Sequence, residues 1–452
     1  MYYLSLYINY MRIPFFILCF VFNSCIHAQV ANEKLIKARN SSCFVLAQNF
    51  FPLDSLSITW DGACIDKKAS GIGTLTYYIN NDVVAEYKGP VSNGSPNGIG
   101  KFSSPNGFKW EGNFVNGVLN GQGKVIFPDS TKRLEGNFHD GEILNLDKKY
   151  LTVLKRNLIS QDDHTDLYVN DRNQKDLFYY SLIPKGPIKG VIVLLPGTWD
   201  RVEYVLSSNK EICQHAFDNN LAVLALSVNQ RLTLNDEVLS FLNRSLSDAI
   251  QKYNLPKDRF IIGGFSMGGL FSIRYTELSV QDRAKTIVKP IAVYSVDGPT
   301  DLEQMYQVFE TALEKSPNKT EPTYALNEFK KHIGGTPKTH RDNYIYFSTY
   351  SHSEKDGGNA KYLKDIPVRI YNDVDVTWWL ENRNTDLYGM NALDQSAMIN
   401  HLRGIGNNKA EFINAFGRGY RLDGTRHPHS WSIVDPSNFM VWVLHILDIA
   451  AR

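Results

Sequence analysis

The chain has 452 residues, 43% of them hydrophobic and 21% charged, with a formal net charge of +1. That length exceeds one comfortable domain and the composition is ordinary globular, so a leader followed by two domains is the expectation. A near-neutral balance without a dominant basic or acidic block excludes a nucleic-acid footprint and a polybasic membrane patch.

The N-terminus reads as a targeting segment. Met11-Arg12 precedes an apolar run, Ile13 to Phe22, that is too short to span a bilayer and suits a secretory core. Residues 1–28 are therefore expected to be a signal peptide, with Met11 as an alternative start, cleavage after Ala28 and a periplasmic or extracellular destination. Phe22-Asn23-Ser24-Cys25 resembles a lipobox with phenylalanine in place of the usual leucine, so lipid on Cys25 is the lesser alternative. Export permits disulfides. Cys43 and Cys64 both fall in the N-terminal module and are the natural pair, whereas Cys213 sits in an apolar helical stretch as a buried free thiol.

An internal repeat follows. Trp60-Asp61-Gly62 with Gly71-Ile72-Gly73 is echoed by Tyr87-Lys88-Gly89 with Gly98-Ile99-Gly100 and by Trp110-Glu111-Gly112 with Gly121-Gln122-Gly123. Leu134-Glu135-Gly136 with Asp140-Gly141 is a degraded last unit. The lead glycines recur with a period of roughly 24, the mark of stacked supersecondary units. Each unit reads as a β-hairpin whose aromatic packs on its neighbour while glycines allow close backbone approach. These units, over about residues 57 to 142, resemble the MORN repeat, and residues 40–145 are expected to form an all-β hairpin array. The resemblance implies protein or lipid contacts, against the plainer role of a spacer or edge cover.

Residues 146–176 are charged and weakly periodic and are expected to be a linker or a first edge strand. Strands and helices then alternate, as in a mostly parallel sheet covered on both faces. Strands are expected at Leu177–Ile183, Gly190–Leu195, Leu221–Val228, Phe260–Gly263, Pro290–Ser295, Pro367–Tyr371 and Ala410–Ala415. Helices are expected at Val202–Asn219, Asn235–Tyr253, Met267–Leu278, Asn391–Gly404 and Pro436–Ala450.

Within that series, Arg259 to Leu270 reads RFIIGGFSMGGL: a buried strand, a glycine-flanked serine and a helix start. Gly264 and Gly268 flank Ser266 as in a Gly-x-Ser-x-Gly nucleophile elbow, whose sharp turn thrusts the hydroxyl clear of the sheet. The alternative is a glycine-rich packing turn. Residues 177–452 resemble an α/β-hydrolase, a doubly wound mostly parallel sheet, with the elbow after the fifth of its usual strands. Residues 298–365 intrude where that fold commonly carries a cap or lid, and they contain a helical stretch, Leu302 to Glu314.

The resemblance implies the order serine, acid, histidine. A serine needs a base to take its proton, and the base needs a carboxylate to fix its tautomer. Asp375, shortly after the Val368–Tyr371 run, is the first choice of acid, with Asp373 second and Asp386 and Asp394 behind it. Asp297 or Asp301, after the preceding strand, would be a relocated acid. His429 in His427-Pro428-His429-Ser430-Trp431 is the expected base, with His427 as the alternative. The Met267 amide and that of Thr198 or Trp199 would form the oxyanion hole, and Trp378 with Trp379 a substrate platform. No metal-ligand spacing is present and no cofactor is expected.

The leading reading is an exported serine hydrolase that cleaves a small-molecule or polymer-linked carboxylic ester, or an amide, through an acyl-enzyme. A serine peptidase of the same fold is its near alternative. A non-catalytic envelope binding or scaffold protein using the repeats is the alternative from another class.

Overall fold

A computed structural model describes residues 35–47, 55–128, 132–170, 175–315 and 319–450. The segment expected to be a signal peptide, with Cys25 and the expected cleavage site, lies outside the described residues. These divide into two compact units, the first ending at Asn145 and the second opening at Leu146.

The first unit is all β. Its strands are β1 (Leu35–Lys37), β2 (Phe44–Leu46), β3 (Leu56–Trp60), β4 (Ala63–Ile65), β5 (Lys68–Ile79) and β6 (Asp82–Ser92). They continue through β7 (Ser95–Pro96), β8 (Gly98–Ser103), β9 (Lys109–Val115), β10 (Val118–Ile126), β11 (Arg133–His139) and β12 (Glu142–Ile143). The sheet runs β1-β2-β5-β6-β8-β9-β10-β11-β12, so each hairpin extends the last. The repeated glycines meet across strands: Gly100 faces Gly112, and Gly123 faces both Gly112 and Gly136. The repeat aromatics need this bare row, since a methyl group on Gly100 would collide with the Tyr87 ring. Tyr87 and Phe114 pack edge to face at 5.2 Å, and Phe102 and Trp110 at 5.7 Å, so neighbouring hairpins share one aromatic core. Next to the glycine row, Glu111 bridges Lys101 (2.9 Å) and Lys124 (3.1 Å) across three strands. Cys43 and Cys64 form a disulfide with Cα atoms 5.6 Å apart.

The second unit opens with the segment expected to be a linker or a first edge strand, and it supplies the edge strand. Helix α1 (Lys148–Leu151) sets Tyr150 against Phe217 at 5.5 Å, and β13 (Lys155–Ser160) pairs antiparallel with β14 (Leu177–Leu182). An edge strand keeps polar residues on its open side, which is why this stretch lacks a strong apolar pattern. Next come β15 (Gly190–Leu195), α2 (Val202–Ser208), α3 (Lys210–Asp218), β16 (Leu221–Leu226), α4 (Asp236–Tyr253), β17 (Phe260–Phe265) and α5 (Met267–Gln281). After β18 (Ala292–Val296) the insertion holds α6 (Leu302–Lys315), α7 (Thr320–Ile333) and α8 (Arg341–Phe347). The chain closes with β19 (Val368–Asn372), α9 (Val376–Arg383), α10 (Asn391–Gly404), β20 (Ala410–Asn414) and α11 (Pro436–Ala450). The expected single helix over Val202–Asn219 is two, broken at Asn209, whose side chain turns back to the Val205 carbonyl.

The sheet order is β13-β14-β16-β15-β17-β18-β19-β20, parallel from β16 onward. This is the α/β-hydrolase arrangement. Strands β14 to β18 are buried along their whole length, which accounts for their unbroken apolar character. The strand order reverses at β15, whose successors lie on opposite sides of it, and in open parallel sheets the binding crevice lies at such a point, here the carboxyl ends of β15 and β17.

Candidate active site

Ser266 stands between β17 and α5 with φ 53° and ψ −123°, a conformation costly to any residue with a side chain. The bend is close enough that a Cβ on Gly264 would lie 2.5 Å from the Gly268 carbonyl oxygen and 2.7 Å from that of Leu195. Glycine is required on both sides of the serine, as the elbow reading expected. The Ser266 amide donates to the Val296 carbonyl (2.9 Å), tying the bend to β18, and Ser266 is partly exposed among buried neighbours. Met267 is the first residue of α5, where an N–H has no intrahelical acceptor and the helix dipole favours negative charge.

The loop after β15 passes directly over this bend: a Cβ on Gly197 would stand 3.2 Å from Ser266 Cβ. The Trp199 amide is excluded as an oxyanion donor, because it already donates to the Asn229 carbonyl at 2.8 Å. Trp199 takes a left-handed backbone (φ 65°) to make that bond, and Asn229 further holds the loop by donating to the Asp200 carbonyl at 3.0 Å. Of the two amides expected from this loop, that leaves Thr198. The Trp199 ring meets Tyr324 of α7 at 4.9 Å, so the insertion reaches the edge of the crevice.

His429 packs against Phe265, the residue before the serine, with ring centroids 4.3 Å apart. Its Nδ1 lies 2.6 Å from Asp297 Oδ2. The carboxylate behind the imidazole is thus Asp297, at the end of β18, and not Asp375. Asp375 instead caps α9, accepting from the Trp378 amide (3.0 Å), and pairs with Arg426 at 2.7 Å. Asp373, the second choice, is buried against the same arginine (2.8 Å) and accepts from the Gly417 and Gly419 amides. Both aspartates therefore brace the loop that carries the histidine. Asp301 accepts from the Glu303 and Gln304 amides at the start of α6, Asp386 caps the turn at Leu387, and Asp394 pairs with His352 at 2.8 Å.

His427 is buried, and its Nε2 lies 3.3 Å from an Arg383 nitrogen. Burial, reinforced by the nearby Arg421 and Arg383 charges, lowers its pKa well below the usual histidine range. Trp378 stacks edge-on to His427 at 4.6 Å and Trp379 packs beside it at 5.9 Å, with His427 itself 6.5 Å from His429. The tryptophan pair thus approaches the site through His427. Among the described residues no group of three histidine, cysteine or acidic side chains converges to hold a metal ion. Sequence reasoning missed Asn372, whose side chain touches Asp297; a polar residue ending a strand that is otherwise buried and mostly apolar was the available signal.

A family model of the MORN repeat matches residues 87–109 and 110–132. No curated protein matches the chain. Among solved structures, the chain is similar to a fungal esterase from Rhizomucor miehei at 12% identity, covering 66% of this chain and 84% of that one, with a TM-score of 0.42. It is also similar to fluorophosphonate-binding serine hydrolase F of Staphylococcus aureus (15% identity, 65% and 98% covered, TM-score 0.39). An S-formylglutathione hydrolase of Staphylococcus aureus shows 14% identity over 65% and 99% of the two chains, with a TM-score of 0.39.

Proposed function

We propose that the second unit is a serine hydrolase that cleaves a carboxylic ester, or an amide, through an acyl-enzyme. The observations that carry this reading are the strained Ser266 turn and His429, which packs on the preceding residue, Phe265, and whose Nδ1 is 2.6 Å from the buried Asp297 carboxylate. In this reading Ser266 Oγ attacks the substrate carbonyl while His429 Nε2 takes its proton. Asp297 holds the tautomer that leaves Nε2 free and stabilises the imidazolium. The Met267 and Thr198 amides hold the developing oxyanion, and His429 returns the proton to the leaving group. Water, activated by the same histidine, then releases the acid and restores the serine.

The same reading places the protein in an oxidising compartment outside the cytoplasm. The apolar run Ile13 to Phe22 and the Cys43–Cys64 disulfide support it. No helix among the described residues is long and apolar enough to cross a membrane.

A fluorophosphonate probe tests the assignment. Wild type should be labelled, with the phosphonyl group on the peptide containing Ser266, while Ser266→Ala should stay unlabelled under identical conditions. Equal labelling of both proteins would overturn it.

A further inference from the structure

The Asp297 carboxylate is held by amide side chains to which the chemistry above gives no role. Asn372 Nδ2 donates to Asp297 Oδ1 at 2.6 Å and to Gln395 Oε1 at 2.9 Å. Gln395 Nε2 donates in turn to the Gly298 carbonyl at 2.7 Å. One helical turn before it on α10, Asn391 donates to the Asp297 carbonyl at 2.8 Å. Asn372 and Gln395 are both buried. We propose that Asn372 is a positioning residue for the hydrolysis, its amide oriented by Gln395 so as to lock the Asp297 carboxylate onto His429. This inference rests on the assignment of Ser266, His429 and Asp297 to the reaction.

The topology explains why an amide stands there. Strands β18 and β19 are parallel neighbours in register through Val296 and Tyr371, so Asp297 and Asn372 leave the sheet side by side. The Asp297 amide donates to the Tyr371 carbonyl (2.8 Å), and Asn372 is fixed from its other side by the Ala415 amide (2.7 Å). Asp297 occupies the left-handed region (φ 47°), where a non-glycine residue persists only if its surroundings over-determine it. The Tyr371 carbonyl and the Asn372 and Asn391 side chains supply that constraint.

Residue type is equally constrained. A carboxylate at position 372 would face Asp297 at hydrogen-bond distance, and one of the two would have to take up a proton. An alkyl side chain would leave Asp297 Oδ1 without its donor, and the carboxylate free to turn from the imidazole. Only a neutral donor holds the acid without competing with it. Because Gln395 spends its N–H on Gly298, its oxygen faces Asn372 and forces the amide nitrogen toward Asp297.

The test uses the full chain and a fluorophosphonate probe, with labelling rates measured against probe concentration and pH. Asn372→Leu should slow the limiting rate about ten- to a hundredfold while leaving the concentration dependence unchanged. The far-downfield proton resonance of the short His429–Asp297 bond should be lost. Asn372→Asp donates only while its carboxyl is protonated, so its rate relative to wild type should fall as pH rises. Gln395→Met, one bond further out, should show a weaker form of the Asn372→Leu defect and serves as well if that variant does not fold. A limiting rate for Asn372→Leu within about threefold of wild type overturns the inference. So does slowing with the resonance unmoved, because the loss would then be a general one. If wild type and Ser266→Ala label alike, the hydrolase assignment itself has failed; if they differ and Asn372→Leu behaves as wild type, only the positioning role has failed.

Discussion

Trp199, Ser266 and Asp297 all hold left-handed backbones, and all three adjoin the same crevice. Each such residue costs about 1–3 kcal/mol, and the cost is met by identifiable bonds: Asn229 to Trp199, Val296 to Ser266, and Tyr371 with Asn391 to Asp297. The aspartates of the region separate into two jobs on this basis. Asp297→Asn should lower kcat roughly a thousandfold or more with little change in stability, because the imidazole loses its charge partner and preferred tautomer. Asp375→Asn should keep most activity and cost about 1 kcal/mol of stability or less, the worth of a partly buried ion pair, because asparagine still caps the helix. Kinetics on an activated ester, with thermal melts of both variants, check this. The reverse ranking of the two rates would return the acid to the end of β19.

At the scale of elements, legibility followed burial. The strands of the second sheet were readable because both faces are covered, which removes polar alternation. The elbow was readable because its glycines and serine stand together in one short stretch between a strand and a helix, although the contacts that demand glycine come partly from Leu195 and Pro196 at the end of a neighbouring strand. The acid was not. Strands β18 and β19 each end in an aspartate within a few residues, they lie in register, and both aspartates reach the same edge of the sheet. The choice between them is made by His429, 132 residues from Asp297. Helix α9 escaped notice for a different reason: it buries no residue fully and so shows no apolar stripe.

The insertion carries an element-scale prediction. On α10, Asp394 faces His352, from the loop after α8, and Asp301, from the start of α6. Burial and then the Asp301 charge push its carboxyl up to about 6, with His352 opposing them. Because the folded value lies above the unfolded one, the native state binds the proton more tightly, and stability falls as pH rises from about 4 to about 6. Asp394→Asn does not titrate. Its melting temperature relative to wild type should therefore climb through that window and level off above it. A difference that stays constant with pH would mean that Asp394 does not titrate in this way.

For the whole molecule, the two units have separate sheets and separate cores, and the disulfide lies in the first alone. Cys43 and Cys64 are 21 residues apart, and closing a loop of that size restricts the unfolded chain by roughly 3 kcal/mol. The first sheet is a stack in which each hairpin rests mainly on its neighbours, so its stability is close to a sum of nearest-neighbour contributions. The bond pins the end of the stack where β1, β2 and β4 join β5. Cys43→Ser with Cys64→Ser, or a reductant, should lower one calorimetric transition and leave a second unmoved. Fluorophosphonate labelling of Ser266 should persist between the two, because Ser266, His429 and Asp297 all lie in the second unit. If both transitions shift together, or labelling vanishes with the first, the repeats contribute stability to the hydrolase fold itself and the two units are one cooperative body.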